Sequence, residues 1–184
     1  MRRRNKRYWW LIKLISKNKF TVGAEIGCAN GATTGRLLRM CSNLRLYAVD
    51  KWEKVEGGPE AGAMGETIGE NCTAWDPVRG FQRFSSVTSP YRSRLTVLRG
   101  DSVEMAKQVK DKSLDFVFID ADHRYPAVIK DLAAWVPKLK PGGVLCRHDI
   151  HLPGVKKALD KKLIEYKDTG VDHVWYCKKE DYVY

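Results

Sequence analysis

Residues 116 to 123 read FVFIDADH, four apolar residues followed by two aspartates and a histidine within four positions. A second apolar run, GVLC at 143 to 146, leads into Arg147, His148 and Asp149. Carboxylates are hard oxygen donors for magnesium- or calcium-like cations, and an imidazole titrates near neutral pH, so it can take a proton from a reacting hydroxyl. Asp120, His123, His148 and Asp149 thus place reactive polar groups directly after two runs fit for buried strands. A third stretch, AEIGCANGATT at 24 to 34, has a different chemistry. Gly27 and Gly31 bracket a tight turn from a strand into a helix, and backbone N–H groups in such a turn can approach a ligand closely. The dinucleotide fingerprint needs a second glycine two residues after the first, where this chain has Ala29. Glu25 points the same way, because a carboxylate at the strand end repels a pyrophosphate but suits a ligand carrying an ammonium group. Asp50 ends YAVD, nineteen residues beyond Gly31, at the place where an acid accepts hydrogen bonds from both ribose hydroxyls. Asp101, in LRGDS, either caps a helix or accepts from an adenine amino group, and both can hold together.

These groups need a scaffold. Short apolar runs alternate with helical patterns along the chain, as in a parallel sheet with crossover helices. Strands are expected at about 22–26, 45–49, 95–98, 115–119 and 143–146, with a last pair near 163–166 and 172–177. Helices are expected over about 33–41, 102–110, 125–137 and 153–162. On this reading His123 has a second role open to it, as a cap of the helix starting near Tyr125, where Asp122 would accept from backbone N–H groups. Residues 51–93 are too long for an ordinary connection. They start glycine-rich, carry Trp52, Trp75, Phe81 and Phe84, and read as a lid or substrate-binding insertion.

With 184 residues, 43% of them hydrophobic, residues 1–184 suit a single domain with a real core. The five cysteines are odd in number, widely spaced and form no CxxC pair, which fits reduced thiols in a cytoplasmic setting and argues against a disulfide framework or zinc. A net charge of +11 draws anions, whether nucleic acid, phosphorylated metabolites or an acidic membrane face. Much of that charge lies in residues 1–20, MRRRNKRYWWLIKLISKNKF. Lys13 interrupts the apolar run and no small-residue cleavage site follows, so this stretch reads as a basic amphipathic helix rather than a secretory signal. Its Trp9, Ile12 and Leu11/Leu14/Ile15 side is expected to face the body of the protein or a partner, with a peripheral membrane contact as the alternative. No run is long enough to span a bilayer.

Taken together, AEIGCANGATT, YAVD, LRGDS and LDFVFIDADHRYPAVIKDLAAWVPKLKPGGVLCRHDI resemble, in order and spacing, the class I S-adenosylmethionine-dependent methyltransferases. Within that class they look like the small-molecule O-methyltransferase branch of catechol, caffeoyl-CoA and macrolide-sugar O-methyltransferases, the methyltransferase family 24 type. The resemblance covers roughly residues 20–177. It implies an α/β fold with a Rossmann-like, doubly wound, seven-stranded and mostly parallel sheet, helices on both faces and an antiparallel last strand. It also implies S-adenosyl-L-methionine as cofactor, its methionine end held by Glu25, Gly27 and Gly31, its ribose by Asp50 and its adenine by Asp101 with Ser102. Cys28, Ala29 and Asn30 in the turn, and Lys51, Trp52 and Asp120 at neighbouring strand ends, complete that site. In the related metal-dependent enzymes the acid at the fourth strand's tip and two adjacent polar residues after the fifth bind a divalent cation. The matching positions are Asp120, His148 and Asp149, with Mg2+ or Mn2+ as the expected ion. His148 departs from the usual carboxylate or amide, so a metal and a histidine base both stay open, and His123 stands as a candidate for touching substrate. The implied reaction is transfer of a methyl group to a hydroxyl of a small molecule, sugar or glycan.

The alternative is an RNA or other nucleic-acid methyltransferase, because the positive charge and Arg79, Arg83, Arg92 and Arg94 can track phosphates. Residues 120–123 speak against its best-known kinds. Amino-group methylation of bases uses an Asn/Asp-Pro-Pro-aromatic tip and cytosine C5 methylation a nucleophilic cysteine, and ADH supplies neither after Asp120. A nicotinamide-dependent dehydrogenase is disfavoured by Ala29 and Glu25, and a non-enzymatic binding module leaves the polar strand tips without a purpose. The motifs fix neither the acceptor nor the oligomeric state, a homodimer included.

Overall fold

In the computed structural model, which describes residues 6–53 and 76–184, the chain is built on one sheet of seven strands. They are β1 (Val22–Ile26), β2 (Arg45–Asp50), β3 (Leu95–Arg99), β4 (Leu114–Ile119), β5 (Leu139–Arg147), β6 (Lys167–Asp168) and β7 (Trp175–Lys178). The sheet order is β3-β2-β1-β4-β5-β7-β6. β1 to β5 run parallel, while β7 is antiparallel to β5 and to β6. The mostly parallel seven-stranded sheet with an antiparallel last strand is thus the one expected from the sequence. Strand order reverses at β1 and β4, and in sheets of this kind ligands bind at the carboxyl ends of the strands beside that reversal.

Period-two alternation sends successive side chains to opposite faces. Phe116 and Phe118 of β4 pack with Leu11 and Ile15 of α1 (Arg7–Asn18) and Leu37 and Leu38 of α2 (Ala32–Met40). Val117 and Ile119 face the other way, toward Ala106 of α4 (Ser102–Ala106), Val128, Leu132 and Trp135 of α5 (Tyr125–Trp135), and Val155 and Leu159 of α6 (Pro153–Lys162). The N-terminal helix therefore spends its apolar stripe on the protein's own core. No helix among the described residues is long and apolar enough to cross a membrane. Cys28, Cys41, Cys146 and Cys177 are buried free thiols.

Several boundaries differ from the sequence expectation, β5 for one starting at Leu139 rather than 143. α4 ends at Ala106, not at 110, because Lys107, Gln108 and Val109 tighten to bonds three residues back, a turn that buries Val109 before β4. β6 lies at 167–168, not at 163–166, since Leu163 ends α6 and bridges to Tyr182 instead. Within the 51–93 interval, residues 77–88 are α3 (Pro77–Thr88), the crossover helix from β2 to β3. Asp76 caps it by accepting from the Val78 and Arg79 N–H groups, Pro77 opens it, and its Phe84 is buried against Cys28, Ala48 and Trp52. So Phe84 and Trp52 belong to the core rather than to a cover. The rest of the expected lid, residues 54–75 with Trp75, lies outside the described residues.

Candidate active site

The turn after β1 is held in shape by Asp50. One oxygen of that carboxylate accepts from the Ala29 N–H at 2.8 Å and the other from the Trp52 N–H at 2.8 Å. The Trp52 indole N–H in turn donates to the Ala29 carbonyl at 2.7 Å, and its ring sits 4.9 Å from Phe81 and 4.8 Å from Phe84. Trp52 thus supports the turn from beneath. Each Asp50 oxygen keeps a lone pair for a ribose hydroxyl. Cys28 turns its thiol inward to the Glu25 and Val49 carbonyls, and Asn30 accepts from the Ala32 N–H, so both offer a ligand chiefly backbone. Gly27 has φ +86°, and a Cβ there would lie 2.1 Å from the Asp120 carbonyl oxygen. The turn after β1 and the tip of β4 are therefore in direct contact.

Glu25 is 2% exposed and accepts from the Thr34 hydroxyl at 2.7 Å. Burial pushes its pKa up to about 8 against the opposing pull of that hydrogen bond. An unfolded glutamate loses its proton near 4.5, so between about 4.5 and 8 the folded chain holds more protons than the unfolded one, and stability falls as pH rises through that window. The unliganded protein is thus expected to melt at a lower temperature at pH 8 than at pH 5. Glu25→Gln should flatten this slope in scanning calorimetry; an unchanged slope would assign it to another group.

At the end of β3, Asp101 caps α4 by accepting from the Val103 N–H at 3.0 Å and pairs with Lys51 at 2.9 Å. The Lys51 hydrogen bond holds the Asp101 carboxyl below its ordinary range. Ser102 accepts from the Trp135 indole N–H at 2.8 Å, and its own hydroxyl serves the buried Asp131 carboxyl. Glu25, the glycine turn, Asp50, Lys51 and Asp101 consequently line the successive ends of β1, β2 and β3.

The ends of β4 and β5 carry the second cluster. Asp149, in a left-handed conformation with φ +63°, aims one oxygen at His123 Nε2, 2.6 Å away, and at His148 Nδ1, 2.7 Å away. Its other oxygen lies 3.9 Å from His151 Nδ1. Asp120 lies 3.5 Å from His148 Nδ1 through one oxygen and 2.6 Å from Arg7 Nη1 through the other. Ligand atoms of Asp120, His123 and Asp149 fall within 4.8 Å of one another. Burial alone would raise the Asp149 pKa, but the short contacts from His123 and His148 outweigh it and hold the carboxyl well below its ordinary range. Behind the cluster Arg147, wholly buried, donates to the Asp122 carbonyl at 2.6 Å and so fixes the backbone just before His123.

All four histidines of the chain gather here, since the His173 ring lies tilted against His151 at 4.1 Å and meets His148 edge-on at 6.4 Å. Sequence reasoning singled out His123 and His148 but passed over His151, His173 and Arg7. His151 was within reach, two residues after Asp149. Arg7 was not, being 113 residues from Asp120 in the chain.

A doubly wound sheet with a cofactor-type glycine turn abutting a polar strand tip defines a Rossmann-like enzyme fold. The chain belongs to the methyltransferase domain family, whose model matches residues 24–150 and bears out the resemblance read from the motifs. The protein y4gI of Sinorhizobium fredii is 32% identical over 103 residues, 56% of this chain and 10% of that one, so the chain spans about a tenth of the relative's length. Among solved structures, cofactor-bound Rv0187 from MTB superposes with a TM-score of 0.66 at 14% identity, over 94% of this chain and 78% of that one. The O-methyltransferase TomG of Streptomyces achromogenes, involved in tomaymycin synthesis and solved with SAM, gives 0.62 at 14% identity over 91% and 76%.

Proposed function

We propose that the chain is an S-adenosylmethionine-dependent O-methyltransferase acting on a hydroxyl of a small molecule, a sugar or glycan end included. The observation that carries this reading is the contact between the glycine turn and the Asp120 carbonyl, which sets a cofactor loop against a cluster of carboxylates and imidazoles. With the methionine end of the cofactor over Gly27–Gly31, Glu25 serves the ammonium, Asp50 the ribose and Asp101 the adenine. The sulfonium methyl then faces the tips of β4 and β5. The acceptor oxygen attacks that methyl in line, the carbon–oxygen bond forms as the carbon–sulfur bond breaks, and the bonding pair stays on sulfur. The protein aligns the two reactants and receives the hydroxyl proton on the Asp149–His148–His123 cluster.

The donor set also fits a divalent cation. His123 Nε2 and both ring nitrogens of His148 are buried without an aligned hydrogen-bond partner, and they stand among two carboxylates. An ion held by Asp120, His123 and Asp149 would lower the acceptor hydroxyl's pKa. Imidazole donors favour manganese over magnesium or calcium.

Calorimetric titration with S-adenosylmethionine and with NAD tests the cofactor half, and only the former is expected to bind. Asp50→Ala should weaken that binding by about ten- to a hundredfold, the scale of losing charge-assisted hydrogen bonds. A preference for NAD would end the reading. Phenols, sugars and nucleotide sugars, with RNA as the contrasting arm, tested with and without chelator, then define the acceptor and the need for metal.

A further inference from the structure

Arg7 is the first residue of α1, yet its guanidinium ends inside the candidate active site. Its backbone N–H donates to Asp172 Oδ2 at 2.9 Å, and the neighbouring His173 carbonyl accepts from the Ile150 N–H at 3.2 Å. The start of α1 is therefore tied to the loop that is itself bonded to the segment after Asp149. Further along the helix Leu11 and Ile15 are buried in the core, so the helix is fixed at both levels and presents Arg7 in one place.

We propose that Arg7 is a positioning residue of the active site, the resident counter-ion of Asp120, which a divalent cation entering among Asp120, His123 and Asp149 must displace. This rests on the metal reading given above. A guanidinium 2.6 Å from Asp120 Oδ2 sets a positive charge on the same carboxylate that an ion among Asp120, His123 and Asp149 would use, and two positive centres that close repel each other. Arg7 has an exit, because its side chain is 31% exposed whereas that of Asp120 is 19% exposed. Two states follow: one with Arg7 on Asp120 and no ion, the other with the ion bound and Arg7 turned to solvent. Ion affinity and the ordering of the first turn of α1 are then linked, and the linkage is reciprocal.

The test is a titration of the full chain with manganese alone, read by the electron paramagnetic resonance signal of the free ion, so that no turnover is needed. Arg7→Gln, which removes the charge, is expected to bind manganese at least about tenfold more tightly than the wild type. Arg7→Lys, which keeps the charge but loses the planar fork, should fall between the two, and circular dichroism checks that each variant is folded. If Arg7→Gln does not fold, an Arg7→Lys affinity above that of the wild type still supports the proposal. Equal or weaker binding by the folded variants, with wild type binding normally, overturns it and leaves the metal reading intact. Absence of manganese binding in all three proteins overturns both.

Discussion

Asp149→Asn is expected to lower methyl transfer by about two to four orders of magnitude, the range for losing an acid–base group, while leaving S-adenosylmethionine affinity nearly unchanged. Asparagine has the same shape and tolerates the left-handed conformation that Asp149 adopts at φ +63°, so the fold should persist. The negative charge does not persist. In the wild type one Asp149 oxygen draws His123 to 2.6 Å and His148 to 2.7 Å. An amide cannot hold both imidazoles in proton-accepting order, and its neutral oxygen binds a cation beside Asp120 less strongly than a carboxylate does. The glycine turn and Asp50 lie at the ends of other strands, which is why cofactor binding should survive. Single-turnover rates with a saturating acceptor, beside a calorimetric titration with the cofactor, measure the two quantities separately. A wild-type rate in the variant would reduce Asp149 to a loop-forming residue; joint loss of rate and cofactor affinity would place it in the cofactor site instead.

How much of this was legible in the sequence depended on how far the causes extend along the chain. The central strands could be read because a strand buried on both faces needs an unbroken apolar run, and FVFI supplies one. β6 could not, because its two residues, Lys167 and Asp168, are both exposed and carry no pattern. Glu25 was legible as a candidate from its place in the glycine-turn motif, but its burial was not. Alternation along β1 sends Ala24 and Ile26 to the α5 side and Glu25 to the α2 side, where Thr34 closes over it. Trp52 read as a lid aromatic from its glycine-rich surroundings. Only the three-dimensional path shows its indole N–H holding the Ala29 carbonyl, and α3 packing Phe84 onto it from the next crossover.

The histidine cluster shows the same limit. His123, His148 and Asp149 follow apolar runs and announce themselves as strand tips. His173 arrives from the loop before β7 and Arg7 from the first turn of α1, and neither has a local signal, because a contact across 113 residues is set by the packing of a whole helix on the core. The sequence showed that α1 has an apolar side. That side chooses the face of the sheet on which α1 lies, and only this choice brings Arg7 to Asp120.

Gly27→Ala is expected to destabilise the protein by roughly 3 kcal/mol or more, from left-handed strain of about 1 kcal/mol plus forced overpacking. The added methyl group would meet the Asp120 carbonyl oxygen at 2.1 Å and its carbon at 2.5 Å. These are backbone atoms, and neither side can easily yield. The Gly27 N–H is bonded to the Val49 carbonyl at 2.8 Å, and the Asp120 N–H to the Ile26 carbonyl at 2.7 Å. In a domain of this size such a loss corresponds to a fall in melting temperature of about 6 to 12 °C. Gly142→Ala is the control, since Gly142 also has a positive φ, +72°, but nothing lies within 4 Å of its Cβ position. It should show the backbone strain alone, about 1 kcal/mol. Scanning calorimetry on the two variants therefore separates conformation from collision. Equal costs at the two positions would mean that the β4 tip moves aside freely, and that the close seating of the glycine turn against Asp120 is not a fixed feature of the fold.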